Sequence, residues 1–166
     1  MRDKLGVYRV IADALQDRVA PDGHPFVRDV TISNSTFGNR YVQIDQPNHG
    51  VHALGVAELI TAVEEQANLV YMLMNDQAYG VIKNIQDAQY DGRHHYSALK
   101  TPNFALICQS IDLPHRKVTH EGDFAAVLDA ALANLGPMLI EVDMCAIGPF
   151  AESFAGPPAG AAGKSK

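Results

Sequence analysis

Apolar positions recur along this chain at two periods, and their alternation predicts the elements. Leu5, Tyr8, Ile11, Ala12, Leu15 and Val19 fall three and four residues apart, which places them on one face of a helix, and Ala20-Pro21-Asp22-Gly23 stops that pattern. Residues 27–33 read as a strand, and 34–49 as a polar loop punctuated by glycine and proline. A helix follows over 56–66, with Leu59, Ile60 and Val63 on one face. The apolar run 69–74 is a second, buried strand, and 80–90 is helical in pattern. After the surface loop Asp91-Gly92-Arg93-His94-His95, Thr101-Pro102 opens a helix reaching residue 112, with proline at its first position. Residues 114–118 form a short strand, 123–135 a helix ended by Gly136, and 138–144 the last strand. Strands separated by helices imply a three-layer α/β domain, a mostly parallel sheet with helices on both faces.

Beyond residue 151 the pattern fades. Residues 152–166 are mostly Ala, Gly, Pro, Ser and Lys, too poor in apolar surface to offset their ordering entropy. The expected organisation is one domain over 1–151 and a disordered tail over 152–166.

Composition narrows the partners. With 47% hydrophobic and 19% charged residues in 166, the chain is long enough for one domain with a proper core. Its net charge of -6, without a basic run interleaved with aromatics, argues against nucleic acid. No apolar run approaches a membrane span, and Met1-Arg2-Asp3-Lys4 leads into an amphipathic pattern, not a signal peptide. Cys108 and Cys145 sit in apolar segments without metal-ligand spacing, which reads as reduced, buried thiols in a cytoplasmic protein; a reactive thiol is the alternative.

The candidate chemistry lies where the second strand ends. Leu69-Val70-Tyr71-Met72-Leu73-Met74 runs into Asn75-Asp76-Gln77-Ala78-Tyr79-Gly80, and the carboxyl ends of strands are where open α/β sheets bind ligands. An amide, a carboxylate, an amide and a glycine make an oxygen-rich turn suited to a hard cation such as magnesium. The plain alternative is a strand-to-loop exit with polar caps. His94 and His95 are adjacent on a loop and point apart, and His24, His115 and His120 lack ligand spacing. Glu64, Glu65 and Asp87 lie on helices as solvated faces, and neither a Gly-x-Ser-x-Gly nor a Walker loop is present.

Seven segments in order carry a resemblance: Arg28-Asp29-Val30-Thr31-Ile32-Ser33-Asn34-Ser35-Thr36, Val51-His52-Ala53-Leu54-Gly55, Glu58-Leu59-Ile60-Thr61-Ala62-Val63, Met74 to Gly80, Asn84-Ile85-Gln86-Asp87-Ala88, Thr101-Pro102-Asn103-Phe104, and Gly136-Pro137-Met138-Leu139-Ile140-Glu141-Val142-Asp143. Together they resemble the C-terminal, cofactor-diphosphate-binding domain of thiamine-diphosphate-dependent enzymes of the acetolactate synthase and benzoylformate decarboxylase group. The resemblance implies thiamine diphosphate and magnesium as cofactors. It makes Asp76 the second metal ligand and the Ala78 carbonyl the third, and places Gly55, Asn75, Gln77, Tyr79 and Gly80 in cofactor binding. His49 and His52 lie near a turn whose histidines can face substrate in that family, or are ordinary half-buried histidines.

One departure qualifies this. The family carries Gly-Asp-Gly, whose aspartate is the first metal ligand, upstream of its Asn-Asn or Asn-Asp pair; this chain has no Gly-Asp-Gly. An ungapped count puts Asn48-His49-Gly50 there, and imidazole is a poor substitute for carboxylate on magnesium. Gly55 instead runs straight into Val56-Ala57-Glu58-Leu59, which reads as an internal deletion between Gly55 and Val56 that removes one strand of the sheet, the first metal ligand and the diphosphate cradle. Cofactor binding is then expected to be weak or absent. The family's activating glutamate belongs to a separate pyrimidine-binding domain, so no catalytic residue is assigned here. The chain reads as a domain fragment, a separate subunit or a truncated product of a 2-oxo acid decarboxylase or carboligase lineage, inactive alone. The rival reading is a non-catalytic module that forms homo-oligomers or docks on a chain carrying the pyrimidine-binding domain, or a subunit of a two-chain enzyme.

Overall fold

Two periods of apolar residues need two kinds of partner, and the parallel sheet supplies both. A computed structural model of the chain describes residues 2–19, 26–28, 50–52 and 58–151. Its elements, in order, are α1 (Arg9–Val19), β1 (Phe26–Arg28), β2 (Gly50–His52), α2 (Leu59–Glu64), β3 (Val70–Asn75), α3 (Gly80–Gln89), α4 (Phe104–Ser110), β4 (His115–Val118), α5 (Phe124–Leu132), β5 (Met138–Asp143) and α6 (Met144–Ile147). Strands β3, β5 and β4 form a parallel sheet in that order, with Val70 opposite Met138, Asn75 opposite Asp143 and Val118 opposite Val142. β1 and β2 form a separate parallel pair, Phe26 opposite Gly50 and Arg28 opposite His52.

Alternation along β5 divides the core into two. Met138, Ile140 and Val142 face one side and pack with α1 and α5 through Tyr8, Ile11, Leu15, Phe124 and Leu128. Val70, Met72 and Met74 of β3 join that side. Leu139 faces the other side with Leu59 of α2, Cys108 of α4 and Leu113, and Tyr71 and Leu73 pack there. Helices thus cover both faces, and β5, central and buried over Met138 to Val142, fixes register because a one-residue slip would exchange the two faces. Each large apolar side chain buried this way contributes about 1.5–3 kcal/mol.

Residues 6–8 and 148–151 meet beside this core. Residues Arg2–Tyr8 form a 3-10 helix that breaks at Gly6 (φ 56), and a Cβ on Gly6 would stand 2.9 Å from that of Ala151. A side chain there meets both a left-handed backbone and a neighbour's methyl. Tyr8 is fully buried, stacks on Phe150 at a centroid distance of 4.3 Å and donates its hydroxyl to the Gly148 carbonyl. Arg18 of α1 pairs with Asp129 of α5 across the surface.

Several boundaries differ from the sequence reading. The first helix is two helices hinged at Gly6. Residues 50–52, to which the sequence reading assigned no element, are strand. The helix expected from Thr101 starts at Phe104, because the Asn103 side chain accepts the Leu106 amide at 3.1 Å and caps it; Pro102 therefore precedes the cap. The last strand stops at Asp143, whose carboxylate caps α6 by accepting from Cys145 N and Ala146 N, both at 3.0 Å. That turn leaves Cys145 exposed, a correction to its expected burial, whereas Cys108 is buried as expected. β3 is half-buried over Val70 to Met74, since among the described residues only β5 pairs with it. The rest of the strand expected over 27–33, the loop 34–49, the Gly55–Val56 junction and the tail 152–166 lie outside the described residues.

Candidate functional site

β3 delivers Asn75 to the carboxyl edge of the sheet, beside Asp143 at the end of β5, and the chain then turns through two side-chain-backed steps. Asn75 Oδ1 accepts the Gln77 amide at 3.2 Å, and Asp76 Oδ1 accepts the Ala78 amide at 3.1 Å. These local bonds are what asparagine and aspartate offer a turn. They hold Gln77 in the left-handed region at φ 53, which non-glycine residues occupy rarely and at a cost. A short bridge pins the turn from outside: the Tyr79 amide donates to the Ser97 carbonyl at 2.7 Å, and the Leu99 amide to that of Gln77 at 2.9 Å. α3 then starts at Gly80, with no side chain capping its first turn.

The expected site residues thus occupy one turn. Asn75 is buried, Asp76, Ala78 and Gly80 are half-buried, and Gln77 and Tyr79 are exposed. Gly55 lies outside the described residues, and His52 sits on β2. His94 pairs with Asp87 on the surface, and His120 accepts the Gly122 amide at 3.1 Å.

Behind the turn lies a polar cluster that sequence reasoning missed. Glu141, on β5, is buried and receives Asn75 Nδ2 at 2.9 Å and His115 Nε2 at 3.1 Å, with Lys117 Nζ 3.8 Å away. Lys117 Nζ also meets Asp143 at 2.7 Å. The Lys117 bond holds the Asp143 carboxyl below the usual carboxylate range against its desolvation, and the Asp143 bond holds the Lys117 ammonium above its usual value. Burial, then the charges of Cys145, Asp76 and Asp143, push the Tyr8 phenol up to about 12. Burial likewise raises the Cys108 thiol, followed by the charge of Glu141. The signal in the sequence was a glutamate inside the apolar run Met138-Leu139-Ile140-Glu141-Val142, since such a carboxylate must find partners when buried.

The donor chemistry of the turn fits a hard cation, but among the described residues the shell is partial. Asp76 keeps Oδ2 beyond its bond to the Ala78 amide, and among the described residues no backbone amide donates to the Ala78 carbonyl. Oxygen donors of this kind suit magnesium, which needs six. Among the described residues no three His, Cys, Asp or Glu side chains gather as a metal set, and no helix is long and apolar enough to cross a membrane.

Several known proteins are similar to this chain over part of their length. Acetolactate synthase 2, chloroplastic, of Nicotiana tabacum is 27% identical over 109 residues, covering 61% of this chain and 16% of the relative. The mitochondrial acetolactate synthase of Schizosaccharomyces pombe is 22% identical over 111 residues, 67% of this chain and 17% of the relative. The chain therefore spans less than a fifth of these relatives. A crystal structure of benzoylformate decarboxylase from Polynucleobacter necessarius matches 88% of this chain and 25% of its own, at 14% identity and a TM-score of 0.49. Residues 49–142, more than half of the chain and including the whole turn, match the model of the thiamine pyrophosphate enzyme C-terminal TPP-binding domain, and the chain belongs to that family.

Proposed function

We propose that this chain is an internally truncated thiamine-diphosphate- and magnesium-binding domain of the 2-oxo acid decarboxylase and acetolactate synthase lineage, inactive alone. The carrying observation is the turn after β3, where the Asp76 carboxylate folds back on the Ala78 amide at the carboxyl edge of the sheet. In this reading Asp76 and Ala78 supply two of the oxygens around magnesium, and the amides at the start of α3, from Gly80, which no side chain caps among the described residues, lie where a diphosphate would be drawn. Gly80 lets a ligand approach the backbone, and Tyr79 flanks it from solvent. When bound, thiamine diphosphate accepts the electrons released as a 2-oxo acid loses carbon dioxide. A deletion between Gly55 and Val56 removes the partner carboxylate, so the surviving half-site binds weakly. A cytoplasmic location belongs to the same proposal.

The test is calorimetric titration of the 166-residue chain with thiamine diphosphate and magnesium. The expected dissociation constant is weaker than micromolar, because one lost charge-assisted contact alone costs about 1.5–3 kcal/mol, roughly ten- to a hundredfold. A micromolar or tighter constant refutes the truncation reading.

A second reading, docking on another copy or on a chain with the pyrimidine-binding half, has one observation in its favour. Leu69, Tyr79 and Ile82 are exposed around β3, which among the described residues is an edge strand. Sedimentation equilibrium decides it: a concentration-independent monomer would exclude self-association.

A further inference from the structure

We propose that Glu141 is a positioning residue for the turn from Asn75 to Ala78: it acts on the turn through Asn75, which holds the turn from behind. The inference rests on the reading of that turn as the ligand-bearing one, and adds a residue on a different strand.

The argument starts from the two ends of an amide. Asn75 is buried, and its side chain can present either NH2 or oxygen in a given direction. An ionised carboxylate only accepts. Glu141 Oε1 therefore takes Asn75 Nδ2, at 2.9 Å, and forces Oδ1 to the opposite side. On that side is the Gln77 amide, at 3.2 Å, belonging to the residue held at φ 53. The Glu141 carboxylate is itself held by donors from β4, His115 Nε2 at 3.1 Å on Oε2 and Lys117 Nζ at 3.8 Å on Oε1. Three strands thus converge on one side-chain amide whose orientation shapes the turn presenting Asp76 and Ala78. Asn75 gives one N–H to Glu141 and one oxygen lone pair to the Gln77 amide, so both ends of its amide are oriented by the protein.

The variant Glu141→Gln keeps the shape and removes the one-way preference, because a glutamine amide can face Asn75 with either end. Amide exchange of Gln77, read by nuclear magnetic resonance, should accelerate about tenfold, the size of one lost hydrogen bond. Asn75→Asp alone sets two carboxylates face to face and should do the same. The exchanged pair, Glu141→Gln with Asn75→Asp, restores a carboxylate facing an amide and leaves an oxygen for Gln77, so protection should return. A purely structural role for Glu141 predicts no such rescue. If the single variants do not fold, the pair still decides: a folded pair with protected Gln77 supports the proposal, and an unprotected one overturns it. The wild-type protein gives a second measurement, since the Asn75 side-chain protons must appear as a well-separated, slowly exchanging pair; a solvent-like pair overturns the proposal. Titration with Mn2+ alone tests the link to the ligand turn. Paramagnetic broadening of the Asp76 and Ala78 signals should be weaker in Glu141→Gln than in the wild type, and equal broadening overturns that link. No broadening in the wild type overturns the ligand reading of the turn itself, whereas the Gln77 exchange still judges the positioning role.

Discussion

Residue by residue, the chemistry of this domain depends on what surrounds each group. Cys108 and Cys145 look alike in sequence, yet one is buried on the inner face of α4 with its thiol pushed up by burial and the other is exposed at the start of α6. A thiol reagent should therefore modify one cysteine rapidly in the native protein and the second only on unfolding; mass spectrometry should place the fast adduct on Cys145. Tyr8 offers a pH test. Its phenol titrates near 10 when unfolded and is raised to about 12 in the fold, so its contribution is complete below pH 10 and is lost as pH rises through about 12. Tyr8→Phe keeps the stack on Phe150 but loses the bond to Gly148. It should cost about 1 kcal/mol at neutral pH, and its stability should fall less steeply than the wild type between pH 10 and 12 in urea titrations.

At the scale of elements, caps and registers decide where each strand hands over to its helix. Asp143 ends β5, caps α6 and pairs with Lys117 of β4, so three elements meet in one carboxylate. Its folded-state value is lowered, chiefly by Lys117; its contribution is therefore present above the ordinary carboxylate range and disappears as pH falls through the lowered value. Asp143→Asn retains an oxygen for the α6 amides but not the charge. It should lower the melting temperature at neutral pH, and the gap to the wild type should close as the pH falls below about 4. A constant gap across that range would show that the ion pair contributes nothing.

For the molecule as a whole, the decisive position is the Gly55–Val56 junction. If a strand and a metal loop are missing there, inserting the corresponding segment of an intact relative should place a second carboxylate beside Asp76 and a neighbour beside β3. Cofactor binding should tighten and depend on Asp76, and the melting temperature should rise as an edge strand becomes covered. On the proposed reading, which puts the activating glutamate on a separate pyrimidine-binding domain, decarboxylation should still not appear. A graft that changes neither binding nor melting would return Asn48-His49-Gly50 to consideration as a diverged loop.

Periodicity and composition by themselves determined the fold class, the order of elements over residues 58–143 and the position of the Asn75–Gly80 turn at a strand end. These follow from local rules: apolar spacing selects helix or strand, and a polar hexad after an apolar run ends a strand. The matching segments also placed the family before any coordinates did. Tertiary structure alone decided that β5 lies between β3 and β4, and hence that Glu141, His115 and Lys117, apart in the sequence, converge behind Asn75. It also decided that Cys145 is exposed and that the first helix hinges at Gly6, where Ala151 comes to meet it. The reason is physical: periodicity reports which face of an element is apolar, whereas a buried charge is tolerated only through partners that arrive from other strands.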